Sequence, residues 1–320
     1  MNNKKQIIPI VYALDKNFVP FMNVSMLSIL ENASKDYFYK FYALHDGICK
    51  KKIKEFDEFN TENSSIEFID VKHGFRIINK NLCIRDNWTE TIYYRFLIPT
   101  LLSEYDKVIY IDGDTVAVRD IAKLYEIDLE DNLVGAVVDE TVSNFDIFRE
   151  YVLRYLNVPH KEYFNSGVLL FNSKLCREQN FLEQFIDMQN RVAFEVAPDQ
   201  DFLNVICRNR VKYISDCWNF QPLPNKNCNE TQIGIIHYNL NLKPWHFDNV
   251  LYENYFWDYA KKSKFYDEIL TIKKNYGVKE KKKAEQNFQK LIKLSLACIA
   301  SSKNSAVKRK DFFSYVRAEG

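Results

Sequence analysis

In the stretch KVIYIDGDTVAV (107–118), an apolar run stops at Asp112, Gly113 and Asp114. Residues i and i+2 of a strand project to one side, so the two carboxylates are placed to reach one cation. Paired carboxylates favour a hard divalent ion such as Mn2+ or Mg2+, and such an ion neutralises a diphosphate. Gly113 between them leaves room for close approach of a ligand to the backbone. An Asp-Gly-Asp after a strand also reads as a plain turn. A second D-x-D occurs at Asp199–Gln200–Asp201, but only the 112–114 copy follows a strand of buried type.

A third ligand candidate is His237, at the end of the apolar run in IGIIHYNLNLKPWH (233–246). An imidazole of borderline softness suits Mn2+ beside two carboxylates. The competing reading is an ordinary buried histidine. Lys243 follows six residues later. It is either a point charge free to meet a phosphate or a common surface lysine.

These residues need elements to hold them. Residues 7–13, 39–44, 65–71, 107–112, 133–139, 164–172 and 233–238 read as strands. Residues 19–33, 50–60, 90–102, 174–193 and 199–209 read as helices. Strands alternating with helices predict an α/β fold with a mainly parallel central sheet covered on both faces. Ligands of such sheets bind beyond the carboxyl ends of the strands. Asp15, Asp112 and Asp139 each stand where an apolar strand stops.

Composition narrows the partners. Residues 1–260 carry 28 basic and 37 acidic side chains, whereas residues 261–320 carry 16 basic and 6 acidic. A basic tail on an acidic body predicts an anionic partner for the tail only and argues against a nucleic-acid enzyme. The seven cysteines form no C-x-x-C pair. That pattern fits a reducing cytoplasm better than a disulfide framework or zinc cluster. The apolar run before Asp15 is too short for a signal peptide. No stretch reaches the roughly 18 uncharged apolar residues of a membrane span.

Six pieces in order, within residues 7–250, resemble glycosyltransferase family 8, especially the bacterial lipopolysaccharide galactosyl- and glucosyltransferases. They are VYALDKN (11–17), YYRFLIP (93–99), KVIYIDGDTVAVRDI (107–121), YFNSGVLLFN (163–172), PDQDFLN (198–204) and HYNLNLKPWH (237–246). The resemblance implies a GT-A-type, Rossmann-like fold. It also implies retaining transfer of galactose or glucose from a UDP-sugar, with Mn2+ (or Mg2+) at the diphosphate. Asp112, Asp114 and His237 match the family's metal ligands, and Lys243 a diphosphate contact. Ala13, Asp15 and Asn17 match positions at the uracil and ribose. Arg95, Asp139, Asn165, Asp199 and Gln200 match positions around the donor sugar and reaction centre. The implied acceptor is a glycan or glycolipid, lipopolysaccharide or lipooligosaccharide core. In the family's retaining reaction Gln200 would be a poor nucleophile, which favours front-face attack. Two departures stand out. Leu240 occupies a position where the family usually has glycine, which puts a backbone contact to the diphosphate in doubt. Gly113 is smaller than the usual middle residue of the D-x-D.

The boundaries expected are a catalytic domain over 1–262 and a basic helical segment over 263–320. In FQKLIKLSLACIASS (288–302), Phe288, Leu291, Ile292, Leu296 and Ile299 share one helical face, opposite Lys283, Lys290 and Lys293. KRKDFFSYVR (308–317) adds basic and aromatic residues. This pattern suits an anionic membrane surface, hence a cytoplasmic protein held peripherally on the inner face of the bacterial membrane. It also suits a helix packed on the body with solvated lysines. A protein O-glucosyltransferase of the same fold, or a non-catalytic UDP-sugar-binding protein, would share the donor motifs. A dehydrogenase is disfavoured because no G-x-G-x-x-G follows the first strand.

Overall fold

The structure, a computed structural model, describes residues 5–78, 82–83, 89–224 and 229–304. The basic stretch 308–317 and Cys228 lie outside them. In chain order the strands are β1 (Gln6–Leu14), β2 (Tyr37–His45), β3 (Ser64–Asp70), β4 (Lys107–Ile111), β5 (Thr115–Ala117), β6 (Val134–Val138), β7 (Phe164–Asn172), β8 (Val211–Tyr213) and β9 (Ile235–His237). Seven form one sheet in the order β3-β2-β1-β4-β7-β6-β8, and β5 pairs with β9 apart from it.

The core strands are near-continuous apolar runs, as expected where both sheet faces are covered. β1 shows no alternation of buried and exposed positions along its middle, for Ile8, Ile10, Val11 and Tyr12 are all buried. In the seven-stranded sheet the pairs β1·β2, β1·β4, β2·β3 and β6·β8 are parallel, and among its described strands only β7 runs against its neighbours. The strand order reverses between β1 and β4, which opens a crevice at their carboxyl ends. Asp15 and Asp112 stand on its two sides. Because β7 is antiparallel, its amino end, with Asn165 and Gly167, reaches the same edge.

Helix α1 (Val19–Glu31) begins with Pro20 in its first turn and is buried along most of its length. Helix α2 (Asp146–Arg154) covers the other face, and helix α3 (Pro198–Ile206) carries Asp199 and Gln200. Several expected helices are broken. Residues 90–102 form a 3-10 helix, Glu90–Leu97, and then Ile98–Leu101, where Pro99 starts an α-turn. Residues 174–193 divide into Ser173–Glu178 and Phe181–Gln189, separated by left-handed Asn180. Residues 50–60 form Lys50–Lys54 and a 3-10 turn at Asp57–Phe59. The three-residue strands β5 and β8 are too short to show a period, and helix α2, though amphipathic with Phe148, Tyr151 and Val152 buried, is not among the expected elements.

Beyond residue 262 the chain stays on the body. Phe265 and Ile269 lie in the same core cluster as Ile8 and Val24. Helix α4 (Val278–Asn304) turns Phe288, Leu291, Ile292, Leu294, Cys298 and Ile299 toward the second core cluster. The Phe288 ring packs edge-on against Phe145 and Phe148. The inward stripe differs from the expected one, for Leu296 is 53% exposed and Ser295 is fully buried. Small Ala284, Ser295 and Ser302 mark the buried line of the helix. Among the described residues, no helix is long and apolar enough to cross a membrane.

Candidate active site and metal centre

Asp112, Asp114 and His237 offer ligand atoms that all lie within 4.8 Å of one another. Strand alternation is not what gathers them. β4 ends at Ile111, and both carboxylates stand in the turn before β5. That turn is pinned: Thr115 Oγ1 donates to the Asp112 carbonyl at 2.9 Å, and Asp112 N–H donates to Gly167 O at 2.7 Å. A buried chain of hydroxyls, Tyr12 to Ser25 to Thr115, ties the turn to β1 and α1. Antiparallel pairing then sets Thr115 opposite His237, and Tyr238 N–H donates to Asp114 O at 3.0 Å. The sequence signals 123 residues apart thus meet through a short two-stranded sheet.

Gly113 meets no steric demand from the protein, since a Cβ there would lie 3.6 Å from the nearest atom, in Phe18. Gly167 is the glycine that matters. A Cβ on it would stand 2.1 Å from His237 Cε1 and 2.8 Å from Asp112 Oδ2.

The arrangement fits a divalent cation on its own atoms. Asp114 Oδ1 is buried without a hydrogen-bond partner. His237 Nε2 faces it at 3.2 Å and faces Asp112 Oδ2 at 3.8 Å. A buried polar atom left unpaired is costly, and two carboxylates converging with an imidazole are a suitable ligand set for Mn2+ or Mg2+.

Lys243 is neither a surface lysine nor free of protein contacts. It is buried, pairs with Asp114 Oδ2 and donates to the Tyr238 carbonyl. Burial pushes the Asp114 carboxyl up, but Lys243 and His237 together outweigh it and hold the group well below the usual carboxylate range. For Asp112 burial wins: Arg95 pulls its pKa down, the Asp114 charge adds to the rise, and the net shift is upward.

Arg95 lies beneath the site, almost wholly buried. Its guanidinium reaches Asp112 Oδ1 and Asp199 Oδ2, each at 3.2 Å, and donates to Ser166 O at 2.6 Å. It also covers the Tyr110 ring at 4.4 Å. Burial alone would lower its pKa, but Asp199, Tyr110 and Asp112 together raise it, so it stays charged.

The remaining residues form a hydrogen-bonded chain. Asp139 caps the helix Glu140–Asn144 by accepting from Val142 N–H at 2.8 Å. Its Oδ2 accepts from Asn165 Nδ2 at 2.9 Å and from Gln200 Nε2 at 3.1 Å. Gln200 Oε1 accepts from Ser166 N–H at 2.9 Å, and Ser166 Oγ donates to Asp199 Oδ2 at 3.1 Å. Asp199 does not cap α3, whose N-cap is Ala197; Arg95 and Ser166 engage it instead. In the second D-x-D, Asp201 turns away into the core, where Tyr151 and Tyr163 donate to its two oxygens at 2.7 and 2.6 Å. Ala13, Asp15 and Asn17 lie at the end of β1, with Asn17 N–H donating to Asp15 Oδ1 at 2.7 Å. Sequence reading missed Gly167, Asn219 and Gln221. The last two are fully buried amides in WNFQ, a segment without periodicity.

Comparison with known proteins identifies the family and the fold. The model of glycosyl transferase family 8 matches residues 9–249. The lipopolysaccharide glucosyltransferase WaaO of Escherichia coli is 28% identical over 264 residues, covering 79% of this chain and 74% of that protein. General stress protein A of Bacillus subtilis is 28% identical over 263 residues, covering 76% and 88%. The fold matches the crystal structure of galactosyltransferase LgtC with donor and acceptor sugar analogues at a TM-score of 0.65 and 24% identity, over 80% of this chain and 96% of that one. With the family's span running from β1 through the loop that carries Lys243, the chain belongs to glycosyl transferase family 8 and is a glycosyltransferase of GT-A-type fold.

Proposed function

We propose that this chain is a retaining, metal-dependent hexosyltransferase. It moves galactose or glucose from a UDP-sugar to a glycan acceptor of the lipopolysaccharide or lipooligosaccharide core type. The observation that carries this reading is the ligand set itself: Asp112, Asp114 with its unpaired buried Oδ1, and the Nε2 edge of His237. When bound, Mn2+ or Mg2+ supplies Lewis-acid stabilisation of the departing diphosphate.

The chain's own residues do the rest. Lys243 adds a point charge beside the carboxylates for the β-phosphate. Ala13, Asp15 and Asn17 hold the uracil and ribose at the crevice between β1 and β4. Arg95 fixes Asp112 and Asp199 in place. Asp139, Asn165, Asp199 and Gln200 surround the donor sugar. A double displacement needs an available carboxylate beneath the anomeric carbon. Gln200 is an amide, and Asp139 already accepts three hydrogen bonds. Both features support front-face attack, in which a departing phosphate oxygen takes the acceptor proton and the Gln200 carbonyl steadies positive charge.

The protein works on the cytoplasmic side of the membrane, held there peripherally by the lysines of α4. The apolar stripe of α4 is turned to the body, so this contact rests on charge. Hydrolysis and transfer assays over a panel of UDP-hexoses with Mn2+, with and without core oligosaccharide, test the main reading. Turnover of UDP-galactose or UDP-glucose that disappears on chelation and in Asp112→Asn supports it. No turnover with any UDP-hexose overturns it.

A further inference from the structure

His237 Nδ1 lies 2.9 Å from Asn219 Oδ1, while Nε2 faces Asp114 and Asp112. Two atoms at hydrogen-bond distance do not by themselves say which imidazole nitrogen carries the hydrogen. Here the answer follows from a backbone amide farther along. Gly167 N–H can only donate, and it donates to Asn165 Oδ1 at 2.9 Å. The other side of Asn165 agrees, because its Nδ2 donates to the Asp139 carboxylate. Asn165 Oδ1 therefore faces Asn219 as an acceptor, and Asn219 presents Nδ2 to it at 2.9 Å. That leaves Asn219 Oδ1 for His237. An amide oxygen accepts, so Nδ1 carries the hydrogen and Nε2 keeps its lone pair toward the carboxylates.

We propose that Asn219 is a positioning residue that locks His237 as the Nδ1–H tautomer, presenting Nε2 as a ready ligand, and that Asn165 couples this lock to the donor-sugar network. The inference rests on the metal-dependent reading above. Its physical logic is simple. In the other tautomer the hydrogen on Nε2 would face the two carboxylates, and the nitrogen would be lost as a ligand. Fixing the second nitrogen of a ligand histidine orients the ring and raises its basicity. All three side chains are buried, at 0% exposure for Asn219, 3% for His237 and 6% for Asn165. Water therefore offers little competition for these bonds. The same amide of Asn165 reaches Asp139, which holds Gln200. One metal ligand is thereby joined by continuous hydrogen bonds to the residues around the sugar.

Long-range 1H–15N spectra of the metal-free chain read the tautomer, with His237 signals identified by their loss in His237→Gln. The expected wild-type pattern is a protonated Nδ1 and an unprotonated Nε2. Mn2+ binding by calorimetry without nucleotide is expected to weaken by about 10- to 100-fold in Asn219→Ala. Asn219→Asp still offers an acceptor to Nδ1–H but turns its second carboxylate oxygen against the Asn165 Oδ1 acceptor, so the Nδ1–H tautomer is expected to persist while Mn2+ affinity still falls. A wild-type Nε2–H tautomer, or unchanged Mn2+ affinity in Asn219→Ala, overturns the inference. The wild-type spectrum decides even if Asn219→Ala fails to fold. A wild-type chain with the Nδ1–H tautomer but no Mn2+ binding would instead overturn the metal-dependent reading and leave the lock standing.

Discussion

Gly167 and His237 are packed so tightly that no side chain fits between them: a Cβ at 167 would fall 2.1 Å from the imidazole Cε1. The same Cβ would crowd Asp112 Oδ2 at 2.8 Å. Gly167→Ala must therefore move two of the proposed metal ligands at once. Its backbone also serves both, through the Gly167 carbonyl bonded to Asp112 N–H and the Gly167 N–H bonded to Asn165. The substitution is expected to destabilise the fold by about 1–3 kcal/mol, as overpacking does. Mn2+ affinity is expected to fall by about tenfold or more, the scale of a disturbed ligand shell. Calorimetry and thermal melts on the same sample separate the two effects. Full metal affinity in Gly167→Ala would refute the crowding argument.

Gln200 tests the chemistry. Both ends of its amide are already committed, to Asp139 and to Ser166 N–H. It is held as an oriented dipole. Gln200→Ala is expected to lower kcat by about 10²-fold, the loss typical of one preorganised polar group. Asp112→Ala is expected to fall close to background. Equal losses in the two variants would favour a covalent role for position 200.

Much of this site was legible in the sequence because strand ends and short motifs carry it. Asp112, Asp114 and His237 each follow an apolar run, and those runs are β4 and β9 with their turns. Asn219 and Gln221 were not legible. Both are buried amides whose partners lie far along the chain, Asn165 for Asn219 and Glu140 N–H for Gln221, and no periodicity marks such a contact. Gly167 was equally silent, since a glycine in an apolar strand has many explanations and only the neighbouring imidazole selects one. The reversal of β7 also escaped the pattern, because buried parallel and antiparallel strands have the same apolar content.

Leu240, the position where the family resemblance leads one to expect glycine, has a left-handed backbone, with φ of +56°. The left-handed conformation strains residues with a Cβ by roughly 1–2 kcal/mol. The chain keeps a left-handed turn that a glycine would make freely and accepts the strain. The side chain is 44% exposed and has little packing to lose. Leu240→Gly is expected to leave thermal stability within about 1 kcal/mol, strain relief offsetting the greater freedom of the unfolded chain. Leu240→Val should lower the melting temperature, because β-branched residues tolerate this region least. A stable Leu240→Val with an unstable Leu240→Gly would contradict the backbone account.

Asp201 gives a pH signature. Burial raises its carboxyl to about 7, with the Tyr163 and Tyr151 hydroxyls and Ala197 N–H pulling partly the other way. A folded-state pKa above the unfolded value, 3.8 in the reference state, means the folded chain binds this proton more tightly. The stabilisation is then full below about pH 4 and is lost as pH rises through about 7. Asp201→Asn removes this titration. Measured against the variant, the wild type should lose several degrees of melting temperature between pH 4 and pH 8, since about 1 kcal/mol moves a domain of this size by a few degrees. A melting difference that stays flat over that interval would show that Asp201 is ionised throughout.

The exposed edge of α4 gives the membrane test. Lys282, Lys283, Lys290 and Lys293 are exposed, while Phe288, Leu291 and Ile292 pack on the body. Binding through these lysines should be electrostatic, worth about 1 kcal/mol per basic residue near an anionic surface. It should also weaken steeply with salt, because the Debye length shrinks from about 10 Å at 0.1 M to about 3 Å at 1 M. Replacing the four lysines with glutamine leaves the packed stripe intact, so the fold and donor hydrolysis should be unchanged. Cosedimentation with phosphatidylserine vesicles is expected to drop by at least tenfold in the variant, for a loss of even 1.4 kcal/mol is tenfold in the binding constant. Equal binding by both forms at low salt would place the contact elsewhere on the chain, and equal binding at high salt would rule out a charge-based attachment.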